Sequence, residues 1–88
     1  MPNIELNPEI ADDVPWSDTV TEYDMAHVVV YLRLLDASDD GAPDGDMCRM
    51  VLGIDPAKEP ERARKALESH LRRARWMTEN GYRQLLTT

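Results

Sequence analysis

The sequence predicts a small all-α domain, an extended-turn variant of helix-turn-helix behind a flexible acidic tail. Three observations lead there. Apolar residues recur at spacings of three and four between residues 25–35 and again between 63–77, the signature of helices with one buried stripe. Two breaks rich in Gly, Pro and Asp, at 36–45 and 53–60, separate these runs. The chain has 88 residues, which limits it to one domain. A domain of that size buries only about 60% of its unfolded-chain surface, leaving little room for both a core and an enclosed active site.

Residues 1–20 show neither helical nor strand periodicity and combine three prolines with Glu5, Glu9, Asp12, Asp13 and Asp18. Such a segment has too little apolar surface to offset its ordering entropy, so it reads as a flexible tail ahead of a helical domain at 21–88. Trp16 is the one residue able to pin the end of this tail to the domain or to anchor a partner.

The first helix is expected to start near Thr21, because Thr21 and Asp24 have capping-box spacing. Met25, Val28, Val29, Leu32 and Leu35 form its buried stripe, while Tyr31 and Leu34 fall off it, making the helix apolar on more than one side. In the first break, Asp39, Asp40, Asp44 and Asp46 invite a calcium-loop reading. It fails because the glycine and terminal glutamate are not at loop spacing. A solvated turn is the simpler account, with a helix starting at Asp44 or Asp46, where acids suit the helix dipole.

A short second helix follows over 46–52, with Met47, Met50 and Val51 inward and Gly53 at its left-handed end. Pro56 and Pro60 hold the next turn out of helix, although Pro60 also fits a first helical turn. The third helix is expected over 59–80, burying Ala63, Ala66, Leu67, His70, Leu71, Ala74 and Met77. Glu61 with Lys65 and Glu68 with Arg72 are spaced for i,i+4 ion pairs. Asn80-Gly81 stops it, and Tyr82 to Leu86 form a last turn that folds Leu85 and Leu86 back onto the core.

The net charge of −7 is unevenly distributed. Residues 1–57 carry 13 acidic side chains against Arg33 and Arg49; residues 58–88 carry eight basic against four acidic. A duplex binder needs cationic surface to release counterions from phosphates, and here that surface is set in an acidic whole. DNA is therefore not the expected partner.

Other chemistries find little support. The single cysteine, Cys48, rules out an intramolecular disulfide and a cysteine-rich zinc site, and reads as a small half-buried apolar residue. His27 and His70 have no helical ligand spacing between them. Ser17, Ser38 and Ser69 lie in no nucleophile motif, and no glycine-rich phosphate loop is present. We expect no enzyme activity and no cofactor. There is no apolar run of spanning length and no signal-peptide pattern at Met1-Pro2-Asn3-Ile4-Glu5, so a cytoplasmic monomer without membrane contact is expected.

A short helix, a turn and a longer basic helix behind a core helix make the plan of a helix-turn-helix unit, here with a lengthened turn. The strings Tyr31-Leu32-Arg33-Leu34-Leu35-Asp36-Ala37, Val51-Leu52-Gly53-Ile54-Asp55-Pro56 and Arg72-Arg73-Ala74-Arg75-Trp76-Met77-Thr78-Glu79-Asn80-Gly81-Tyr82-Arg83-Gln84-Leu85-Leu86 resemble the family catalogued as domain of unknown function 2285, over residues 21–86. That resemblance implies an extended-turn helix-turn-helix. Some members are DNA-contacting activators, and others are stand-alone acidic antiactivators of QseM type that regulate conjugative transfer.

This short, acidic chain resembles the second kind. The implied partner is the N-terminal domain of a transcription activator, with a quorum-sensing regulator as a further candidate. The expected function is then antiactivation by sequestration, with partner-binding residues Tyr31, Leu34, Trp76 and Tyr82 rimmed by Asp36, Asp39 and Asp40. The alternative is a DNA-binding regulator contacting phosphates through Arg62, Arg64, Lys65, Arg72, Arg73 and Arg75. Otherwise those six side chains form a solvated helix face interrupted by Glu59, Glu61, Glu68 and Glu79.

Overall fold

The computed structural model describes residues 7–81 and 83. Every regular element among them is helical: α1 (Glu22–Ala26), α2 (Val28–Asp39), α3 (Asp44–Met47) and α4 (Pro60–Trp76). Two of these continue into wider π-type turns, α3 through Cys48–Leu52 and α4 through Met77–Gly81.

The Thr21 capping box forms as the spacing predicts: its hydroxyl accepts from the Asp24 N–H, and the Asp24 carboxylate accepts from the Thr21 N–H. The expected single first helix is interrupted at His27, whose backbone leaves helical geometry. Its imidazole Nδ1 lies 2.7 Å from the Tyr23 carbonyl, competing for an oxygen that the helix ladder would otherwise use. Beyond that step α2 runs on to Asp39, four residues past the expected end, and closes with Gly41 at φ 76°.

The buried stripe of α2 is rotated from the expected one. Val30, Tyr31 and Leu34 are buried, while Leu32 is 45% exposed. With Asp24 and His27 they keep helical spacing, but those two residues are polar. A stripe traced through apolar residues alone passes them by. In the same way Met50, expected inside, is 83% exposed, and Cys48 and Leu52 face inward beside Met47. Gly53 ends this segment at φ 70°, the left-handed conformation expected of it.

Pro60 takes the first position of α4, where its missing N–H leaves no helical bond unmade. The face traced by Ala63, Ala66, Leu67, His70, Ala74 and Met77 is buried as the sequence predicts. Along α4 the interior falls into three layers. At the N-terminal end Ala63, Ala66 and Leu67 pack with Val30, Leu34, Met47, Cys48, Leu52 and Ile54. At the C-terminal end Ala74 and Met77 pack with Tyr31, joined by Val20, Leu35 and Trp76. Between them lies a polar layer of Ser69, His70 and Arg73 with Asp24 and His27, all buried.

That layer is completed by residues 7–20, which carry no helix or strand but lie against the helices. The Val14 N–H donates to the Ser69 hydroxyl (3.2 Å) and the Ala11 N–H to the Tyr23 hydroxyl (3.0 Å). The Glu9 carbonyl lies 2.7 Å from His27 Nε2, and Arg73 donates to the carbonyls of Ser17 and Thr19. Prolines, acids and sparse apolar residues give residues 7–20 little core of their own. Here backbone groups hold the segment by pairing with buried side chains, and Val14 is buried as well. No buried side-chain nitrogen or oxygen among the described residues lacks a partner.

Candidate functional site

The six basic residues singled out on the third helix divide into three kinds. Arg73 is completely buried. Its Nε and Nη2 donate to both oxygens of Asp24, at 2.6 to 3.2 Å, and its remaining donors take the two carbonyls from the N-terminal segment. The Tyr31 hydroxyl donates 2.8 Å to the same carboxylate. Burial alone would raise the Asp24 pKa, but the hydrogen bonds from Arg73, the Thr21 N–H and Tyr31 outweigh it, and the carboxyl is held below its ordinary value. Arg73 is thus an internal cation, inaccessible to phosphate.

Arg62 and Arg64 are exposed but engaged. Arg62 reaches Asp12 at 2.6 Å and Glu59 at 3.1 Å. Arg64 reaches Glu61 at 2.9 Å and Glu68 at 3.4 Å. These pairings replace the expected ones of Glu61 with Lys65 and Glu68 with Arg72, because both glutamates turn to the arginine that lies between them.

Lys65, Arg72 and Arg75 are the third kind. Each is exposed, and among the described residues none has a carboxylate within salt-bridge distance. Lys65 and Arg72 are seven residues apart and so lie on one face of α4, about 10 Å apart along its axis, with Arg75 beside them. The helix therefore presents outward a row of cations without carboxylate partners among the described residues, while its opposite face closes the core. Residues 53–59 form the lengthened turn joining α3 to α4, as the helix-turn-helix plan requires.

The proposed protein-docking patch is not assembled at the surface. Tyr31 and Leu34 are buried, Tyr31 with its hydroxyl on Asp24 and Leu34 in the main core. Trp76 is half-buried against Tyr31 and lies 3.9 Å from the Arg73 guanidinium. Asp36, Asp39 and Asp40 are exposed at the end of α2. Tyr82, Leu85 and Leu86 lie outside the described residues. The burial of Tyr31 and Leu34 follows from the rotated stripe of α2, which turns the residues expected to be surplus toward the interior.

Comparison with known families favours the second reading. Residues 6–87 match the model of the family RovC_DNA-bd, described as "T6SS, Transcription factor, DNA binding domain". The chain belongs to this family. The match spans nearly the whole sequence, and the family is one of transcription-factor DNA-binding domains. The expectation that DNA is an improbable partner is overturned. Net charge misled because acids of the first 57 residues outweigh a basic row that is local to α4. The matching model is not that of domain of unknown function 2285, and nothing in it supports antiactivation, conjugative transfer or quorum sensing. No curated protein matches the chain. No helix of the described residues is long and apolar enough to cross a membrane.

Proposed function

We propose that this domain binds duplex DNA as part of a transcriptional regulator, with α4 laid in the major groove. The observation that carries this reading is the row Lys65, Arg72 and Arg75, exposed and without acidic partners among the described residues, on one side of the longest helix. Such a row can displace condensed counterions from phosphates, whereas Arg62 and Arg64 would first have to give up their carboxylates. The acidic excess of the first 57 residues disfavours approach through that half of the chain and leaves the basic helix to face the duplex. The regulator would act in the cytoplasm, where its DNA lies.

Fluorescence anisotropy with a labelled mixed-sequence duplex tests it. Binding should weaken steeply with salt, and replacing Lys65 and Arg75 together by Ala should lower the slope of log K against log salt by roughly 2, about one per phosphate contact. Arg64→Ala should change it far less. Wild-type protein that shows no salt-dependent binding to duplex would overturn the reading.

A further inference from the structure

Trp16 is 51% exposed, yet its ring is fixed from several sides. It packs edge-on against Trp76, with centroids 6.0 Å apart and planes at 72°. The Arg73 guanidinium lies 5.0 Å from its centroid, and Arg73 is locked by Asp24. The chain immediately after Trp16 is fastened by the carbonyls of Ser17 and Thr19 to that same guanidinium. On the open side, the Arg72 guanidinium stands 5.5 Å from the Trp16 centroid, and the two side chains line a shallow notch.

One side of the indole covers Trp76 and Arg73, and the other half of its surface is open to solvent beside an exposed arginine. Its place matters. Arg72 lies about 10 Å along α4 from Lys65, so with α4 in the groove the two reach phosphates at different points along its length. Arg72 and Trp16 then meet the sugar-phosphate strand together, one stretch beyond Lys65.

Building on the α4 reading, we infer that Trp16 and Arg72 form a backbone clamp on duplex DNA. Arg72 pairs with a phosphate, and the exposed face of the indole packs on the adjoining deoxyribose. The local charge supports DNA backbone as the occupant: Arg72 and Arg75 are exposed here without carboxylate partners among the described residues, while Arg73 is neutralised by Asp24. The N-terminal segment, acidic through most of its length, would thereby contribute one aromatic contact to the interface.

The test uses the full chain and the same labelled duplex. Trp16→Ala should weaken binding about fivefold to tenfold, the loss typical of removing an anchoring aromatic, without changing the salt slope. Trp16→Phe, which keeps a ring, should retain most of the affinity, and Arg72→Ala should lower the slope by about one. Acrylamide quenching of the wild-type chain gives a readout independent of any variant: DNA should shield one of the two tryptophans. Unchanged affinity in Trp16→Ala, equal losses in the Ala and Phe variants, or unaltered quenching with DNA bound would each overturn the clamp. If Lys65 and Arg75 substitutions still weaken binding in those cases, the α4 reading survives without it. Absence of duplex binding by the wild-type chain removes both.

Discussion

Arg72 and Arg73 are neighbours in the chain and point about 100° apart around α4. One is exposed beside Trp16; the other is sealed against Asp24. A buried charge that loses its partner keeps its desolvation cost, so Asp24→Asn should destabilise the fold by about 3 kcal/mol, visible as a large drop in Tm. Removing Glu61 from its exposed pair with Arg64 should barely move Tm. His70 gives a second prediction at this scale. Burial lowers its pKa, and its Nδ1 donates to the Ala66 carbonyl while Nε2 accepts from the Tyr23 hydroxyl. The unfolded chain therefore takes up a proton at a higher pH than the folded one. Stability should fall as pH drops below about 6.5, and level off below the depressed folded value. Asp24, also depressed, adds a further loss in stronger acid as its carboxylate protonates. A Tm that stays level between about pH 7 and pH 5 would contradict the His70 part of this account.

At the scale of elements, the ends of helices were legible and their faces were less so. Thr21, Gly53 and Pro60 act through their own backbone neighbours, and each does what its residue type predicts. For Gly53 this can be measured cleanly. An added Cβ would meet nothing within 4 Å, so Gly53→Ala isolates the cost of left-handed backbone, about 1 kcal/mol by chemical denaturation. Faces depend on what packs across from them. On α4 most buried positions are small or apolar, Arg73 and His70 apart, and the exposed ones are charged, so the face could be traced. On α2 eight of the twelve positions are apolar, and Asp24 and His27, which continue its buried side, resemble surface residues until their partners are known. The charged side of α4 was legible as a set of basic residues, but which of them stay uncompensated depended on where Glu61 and Glu68 turn.

Across the whole molecule, residues 7–20 complete the polar layer that three helices leave open. A chain beginning at Thr21 would strip partners from Ser69, Arg73, His27 and Tyr23 together. At about 1–3 kcal/mol for each orphaned group, the loss approaches the entire stability of a domain this small, so the truncated chain should lack a cooperative thermal transition by circular dichroism. A sharp transition near the full-length Tm would show the segment to be dispensable. The sequence by itself determined the helical class, the order of helices, their caps, the buried face of α4 and the concentration of positive charge in the last third. These follow from short-range spacing and backbone preference. Only the tertiary structure decided the rotation of α2, the internal role of Arg73, the anchoring of residues 7–20 and which cations, Lys65, Arg72 and Arg75, lack a carboxylate among the described residues. Each of these rests on polar pairing, much of it between residues some fifty positions apart, as in Asp24 with Arg73 and Asp12 with Arg62. Hydrophobic periodicity carries no information about such pairs.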